Sequence, residues 1–183
     1  MASGRVTFLK EATPYHSNFP EGSKLWATMQ RTRFGDMVCS IARTLDVAGE
    51  PWSPLIIRDV WVGITRFDDL QRDLGISSKV LTERLNWLVD QGMLERRPYS
   101  ERPLRHDYVL TEKGYEFCDV LLAIAAWGDR WTAGEAGPPA VHRHRTCGHL
   151  TRIDPRCAHC GEPLHAVDVE VEAGPGAAVQ SPS

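Results

Sequence analysis

Nowhere does this chain carry a run of about eighteen apolar residues, so no membrane-spanning helix is expected. Its start shows no basic-then-apolar leader and no lipidation motif, and a cytoplasmic location is the expectation. Cysteine is sparse and poorly spread for a disulfide framework: of five, three crowd between Cys147 and Cys160, while Cys39 and Cys118 stand alone. That argues against a disulfide-stapled scaffold and for reduced thiols with a metal. Positive charge is also not in excess. A formal net charge of -3 excludes a generally basic nucleic-acid coat, although a net value hides local patches. No segment is expected to repeat.

The 183 residues suffice for one domain with a real core plus an appendage, and the apolar and charged fractions are those of an ordinary globular protein. Residues 1–35 are polar, broken by Pro14 and Pro20, and lack a sustained apolar period; they read as an extension, with Met29 a possible alternative start. In DMVCSIARTLDV, Met37, Ile41 and Leu45 recur at helical spacing with Val38 beside them, and Cys39 points away from that stripe. SPLIIRDVWVG predicts a second helix, with Ser53 as N-cap, Pro54 at the first helical position and Gly63 closing it.

RFDDLQRDLGIS spaces Phe67, Leu70 and Leu74 for a short helix stopped by Gly75. Ser77 then caps SKVLTERLNWLVDQG, whose Leu81, Leu85 and Leu88 form one apolar face and which ends at Gly92. Two short helices joined by a glycine-containing turn match a helix-turn-helix. Beyond it, Met93–Pro98 and His106–Leu110 read as strands around an arginine- and proline-containing loop, a wing. From Thr111, a predicted N-cap, a helix runs on that is apolar around its girth, through Phe117, Val120, Leu121, Leu122, Ile124, Trp127 and Trp131. Such a helix needs a second surface to bury it, which suggests a dimer interface.

An α-helix fits the major groove, where base edges are distinguishable, so the second helix of the motif should carry polar groups opposite its leucines. Lys79, Glu83 and Asn86 fall there, with Ser77, Ser78 and Thr82 near the end that meets bases; Arg84 flanks the apolar face and can reach a phosphate or pair with an acidic neighbour. In the wing, Arg96, Arg97, Arg102 and Arg105 face only Glu95 and Glu101, making a basic loop on an acidic protein that can follow phosphates or enter a minor groove. One or two of those arginines are expected to pair with the glutamates instead.

From Cys39 to Trp131 the chain resembles the HxlR-type winged-helix transcriptional regulators, relatives of the MarR group. The likeness is carried by CSIARTLDV, GEPWSPLIIRD, the stretch from Arg66 to Gly114, and the helix ending in WGDRW. Gly49, Glu50, Pro51 and Trp52 stand where members usually carry Gly-Gly-Lys-Trp or similar, so a basic residue is lost there. The resemblance implies a homodimer built from the first and last helices, with two recognition helices about one DNA turn apart on a partly palindromic operator. It also implies a candidate sensor thiol, because many members have a cysteine near Cys39 and some sense quinones, aldehydes or oxidants through it. Cys118 reads as packing.

TAGEAGPPA, then, is a linker to HRTCGHLTRIDPRCAHCG. His144 and Cys147, then Cys157 and Cys160, have the spacing of two zinc knuckles, each followed by a glycine that permits the tight turn. Loops this short build no core, so a tetrahedral zinc would organise them, supplying on the order of 10 kcal/mol. His142 or His149 could replace His144. Four protein ligands leave no open position for a reacting water, and Glu162 is the only carboxylate beside a knuckle, so a structural site is expected and an enzyme is not.

The expected fold class is mainly α with a small β wing: a winged helix-turn-helix, dimeric through its N- and C-terminal helices, with a zinc-ribbon-like segment. Its divisions are residues 1–35 (extension), 36–132 (DNA-binding and dimerisation domain), 133–141 (linker), 142–167 (ribbon-like segment) and 168–183 (disordered tail). The expected function is a sequence-specific repressor that binds double-stranded DNA as a homodimer. Other readings are an interaction module whose ribbon docks on a protein and which binds DNA non-specifically, a regulator responding to a redox or small-molecule effector, and a zinc enzyme.

Overall fold

The computed structural model describes residue 34 and residues 37–179. The extension over residues 1–35, Met29 included, lies outside the described residues apart from Phe34, as do residues 180–183 of the tail. Five helices and a hairpin form the body: α1 (Ser40–Ala48), α2 (Trp52–Trp61), α3 (Phe67–Leu74), α4 (Ser78–Asp90), β1 (Leu94–Glu101), β2 (Leu104–Leu110) and α5 (Glu112–Trp131). Among the described residues no helix is long and apolar enough to cross a membrane.

The most apolar helix, α2, sits in the middle. Ile56, Ile57 and Val60 meet Leu70 of α3, Leu81, Leu85 and Leu88 of α4, Met93, Leu94 and Leu110 from the hairpin, and Cys118 of α5. Burial of that kind contributes about 1.5–3 kcal/mol per large side chain. It holds α3 and α4 at a fixed angle through a three-residue turn at Gly75, whose backbone is left-handed (φ 65°). Ser77 caps α4, accepting from Val80 N–H at 3.3 Å, and Thr111 caps α5, accepting from Gly114 N–H at 3.1 Å, both as the sequence predicts.

The start of α2 differs from expectation. The helix begins at Trp52, and Ser53 is fully buried inside its first turn. The cap is Glu50, whose carboxylate accepts from the Trp52 and Ser53 amides, at 3.2 and 2.5 Å, and from the Ser53 hydroxyl. A carboxylate reaching three residues forward satisfies two orphan amides at once and favours the positive end of the helix, more than a serine hydroxyl can do. The hairpin also runs further than its apolar residues suggest: β1 and β2 pair up to Glu101 and Leu104, with Arg102 and Pro103 as the turn and an irregularity at Pro98–Ser100.

The stripe on α1 faces out of its own fold. Ala42 and Ala48 are the buried positions, whereas Met37, Val38, Leu45 and Ile41, the last 72% exposed, lie open. On α5, Phe117 and Leu121 pack against the core, but Val120, Ile124, Trp127 (63% exposed) and Trp131 (68%) do not.

After α5 the chain turns into the tail, where β3 (His142–Arg143) pairs antiparallel with β4 (Leu150–Thr151). Further on, short 3-10 turns lie at Ala166–Asp168 and Pro175–Val179. The tail is anchored to the body where the His142 ring stacks on Trp61 of α2, centroids 6.3 Å apart and planes inclined by 17°.

Candidate nucleic-acid interface

Because Leu81, Leu85 and Leu88 are fully buried, the opposite face of α4 is turned to solvent. Ser77, Ser78, Lys79, Thr82, Glu83 and Asn86 are all exposed on it. Arg84 is not part of that open face. It is half-buried against α2, with Nε 3.9 Å from the Glu50 carboxylate. Glu50 therefore serves inward, as helix cap and as the partner of Arg84. At its other end α4 is tied to α1 by the Trp87 indole, which donates to the Val47 carbonyl at 2.9 Å.

The four wing arginines separate by what they touch. Arg97 is matched by Glu95 at 2.6 Å. Arg96 donates to Asn86 Oδ1 and lies over the Tyr108 ring at 5.9 Å, which ties wing to helix. Arg102 sits in the hairpin turn and Arg105 on the adjoining strand, both exposed and with no ion pair among the described residues. The basic character of the wing thus resides at its tip.

Sequence reasoning passed over Arg66. This residue precedes α3 and stacks over Tyr99 at 4.6 Å while its Nε lies 3.6 Å from Asp107. Thr65 donates to the same carboxylate at 3.0 Å, and Tyr108 N–H donates to the Thr65 carbonyl at 2.8 Å, so the segment before α3 pairs with the wing. A cleft of about 440 Å³ opens there, with Arg66, Arg72, Arg105 and His106 on its walls. The irregularity at Pro98–Ser100 that brings Tyr99 beneath Arg66 has no sequence signal beyond the proline.

Asp59, in the last turn of α2, was likewise not singled out. It is fully buried, bonded to Arg58 at 2.6 Å, and its second carboxylate oxygen has no hydrogen-bond partner among the described residues. Burial pushes its pKa up to about 6 against the lowering effect of Arg58. Arg58 also reaches Asp73 at 3.6 Å, linking α2 to the end of α3.

Of the thiols, Cys39 is exposed just before α1, and Arg43 one turn on donates to the Met37 carbonyl at 3.2 Å. Cys118 is buried, and burial followed by the charge of Asp119 pushes its thiol up to about 11. In the tail, His144 Nδ1 lies 3.3 Å from Cys147 Sγ. Cys157 is held below the usual thiol range, mainly by the backbone amides of Cys160 and His159. The four donors do not meet: among the described residues no group of three or more His, Cys, Asp or Glu side chains could hold a metal ion as placed. His142 is turned away, onto Trp61.

A helix-turn-helix with an exposed polar face on its second helix, followed by a hairpin with a basic tip, is the geometry of a major-groove reader with a wing. A model of the HxlR-like helix-turn-helix family matches residues 47–136. Rv3095 of Mycobacterium tuberculosis, an HTH-type transcriptional regulator, is 43% identical over 139 residues, covering 75% of this chain and 87% of the relative. This chain belongs to the HxlR-like helix-turn-helix family.

Solved structures agree. The crystal structure of PA1607, a candidate transcription factor, is 34% identical with a TM-score of 0.70 and covers 78% of this chain and 100% of its own. PA1374 of Pseudomonas aeruginosa, another candidate transcription factor, is 45% identical with a TM-score of 0.54, covering 75% of this chain and 93% of its own. The HxlR-like chain is a DNA-binding transcriptional regulator, and its mainly helical body with a two-stranded wing is the winged helix-turn-helix expected from sequence. The 139 residues shared with Rv3095 exceed the span matched by the family, so the likeness runs beyond the winged helix itself.

Proposed function

We propose that this regulator acts in the cytoplasm as a homodimeric repressor on a partly palindromic operator. The observation that carries the reading is the combination of an open α4 face, Ser78, Lys79, Thr82, Glu83 and Asn86, with Arg102 and Arg105 at the wing tip, which have no ion pair among the described residues. Side chains on α4 read bases, since only base edges carry sequence information, while the wing tip follows phosphates. Ser77 sits at the helix start, where a backbone amide end favours a phosphate oxygen.

Dimerisation is supported by the apolar surfaces that α1 and α5 leave open. Ile41, Leu45, Ile124, Trp127 and Trp131 are each half or more exposed, so covering what remains open would contribute roughly half to three-quarters of the about 1.5–3 kcal/mol that full burial of a large apolar side chain gives. A second copy places the two α4 helices on successive major-groove faces, roughly 10 bp apart.

Gel shifts on the DNA flanking the protein's own gene, against random competitor at two salt concentrations, test this reading. Retention of the specific complex at the higher salt, with a dimer by light scattering, is expected. Binding that random DNA competes away equally would instead favour an interaction module. A thiol-responsive version of the same function rests on Cys39, exposed at the mouth of α1 next to the proposed dimer face. It requires that oxidising Cys39 release the operator and that Cys39→Ser abolish that release.

A further inference from the structure

Two turns of the tail are built alike, thirteen residues apart, although no repeat was expected from the sequence. In the first, His144 N–H donates to the His149 carbonyl at 2.9 Å and Gly148 N–H to the His144 carbonyl at 2.8 Å. In the second, Cys157 N–H donates to the Glu162 carbonyl and Gly161 N–H to the Cys157 carbonyl, both at 2.9 Å. Gly148 and Gly161 adopt φ of 73° and 77°, a conformation costly for any residue with a Cβ. Even the preceding residue corresponds: Arg143 donates to the Gly148 carbonyl, and Arg156 to the Gly161 carbonyl at 3.2 Å. In the sequence the two turns share Arg, Cys and Gly, at positions 143, 147 and 148 against 156, 160 and 161.

Each turn therefore sets two soft donors three residues apart on one side of a fixed loop. These loops are almost wholly exposed and bury no apolar residue that could fix two left-handed glycines. Chain entropy disfavours such order without a compensating ligand.

We infer that His144, Cys147, Cys157 and Cys160 bind one zinc ion per chain in a closed structural site, with Arg143 and Arg156 as positioning residues that brace the two loops. Three thiols and one imidazole are a tetrahedral zinc donor set. As the zinc–sulfur bonds form, the three thiol protons pass to solvent, so binding tightens with rising pH. As placed, no three of the four donors come together, so binding one ion requires the two exposed loops to approach each other. His144 is assigned as the nitrogen ligand because its Nδ1 already lies 3.3 Å from Cys147 Sγ, whereas His142 is engaged with Trp61. The inference does not depend on the DNA-binding reading.

The test uses the full chain purified without chelator, with metal measured by mass spectrometry and cobalt(II) titrated into the metal-free protein. One zinc per chain is expected, and one equivalent of cobalt should give the d–d bands of a tetrahedral ion with thiolate charge transfer. Cys147→Ser and Cys157→Ser should abolish both while helical circular dichroism is unchanged, and His144→Cys should retain a metal. His142→Asn and His149→Asn should keep full stoichiometry. Arg143→Ala and Arg156→Ala should keep it too, with affinity lowered about tenfold. Absence of metal and of cobalt absorption in the folded wild-type chain would overturn the site. Loss of metal in His142→Asn would overturn the ligand assignment.

Discussion

Arg96 of the wing donates to Asn86 Oδ1 on the recognition helix. An asparagine that reads adenine uses both ends of its amide, accepting from the base amine and donating to the ring nitrogen. Here the accepting end is already engaged. One of the two lone pairs of that oxygen is taken, so a base contact by Asn86 must share its acceptor with Arg96 or displace it, and the wing bears on base reading at this position.

A double-mutant cycle measures that coupling. Asn86→Ala and Arg96→Ala should each change operator affinity, and the double variant should lose less than the sum of the two, with a coupling of roughly 0.5–3 kcal/mol. Strict additivity would show that the bond has no bearing on DNA binding.

The wing arginines should rank by their partners. Arg102→Ala is expected to weaken binding to operator and random DNA alike and to lower the slope of log affinity against log salt by about 1. Arg97→Ala should do less, because Glu95 already neutralises that guanidinium at 2.6 Å. Lys79→Ala should relax base preference at constant salt slope. Equal losses on both DNAs for all three variants would contradict these roles.

Gly114, in the first turn of α5, lies against the backbone of Met93. A Cβ there would collide with the Met93 carbonyl oxygen and stand 2.9 Å from Leu110 Cδ2. Gly114→Ala should cost about 1–3 kcal/mol and lower Tm by roughly 5–15 °C. Gly128→Ala in the same helix meets nothing nearer than Thr132 Oγ1 at 3.5 Å and should stabilise by about 0.5–1 kcal/mol. Thermal melts of the two variants should therefore move in opposite directions.

Asp59 should impose a pH dependence of one sign. Its carboxyl titrates near 3.8 when unfolded and at about 6 when folded, so between those values the native state holds a proton that the unfolded state has lost. Its contribution to stability is complete below about pH 4 and disappears as pH rises through 6. The difference in Tm between wild type and Asp59→Asn should accordingly shift against wild type from pH 4.5 to 7.5. Parallel profiles would show that Arg58 keeps the carboxylate ionised throughout.

Where local chemistry fixes the backbone, the sequence was readable. Ser77, Thr111, Gly75 and Gly92 mark caps and left-handed turns because few other residues serve there. The start of α2 was misjudged because Ser53 and Glu50 both offer cap chemistry, and only packing buries the first. Exposure of Ile41 and Leu45 was not legible either, since an apolar stripe looks the same whether it faces its own core or a second chain. The polar face of α4 followed from the spacing of its leucines. The division among the wing arginines did not, because it depends on which residues the hairpin register sets beside one another. Asp59 and Asp73 converge through Arg58 only once α2 and α3 are packed, so no spacing could reveal them.

The stack of His142 on Trp61 gives the tail a foothold on the body. Trp61 closes the helix whose Ile56 and Ile57 form the centre of the core, and the imidazole of His142 lies stacked beside its indole. The tail thereby touches the helix on which the DNA-reading pair rests, and Trp61→Ala would remove that contact.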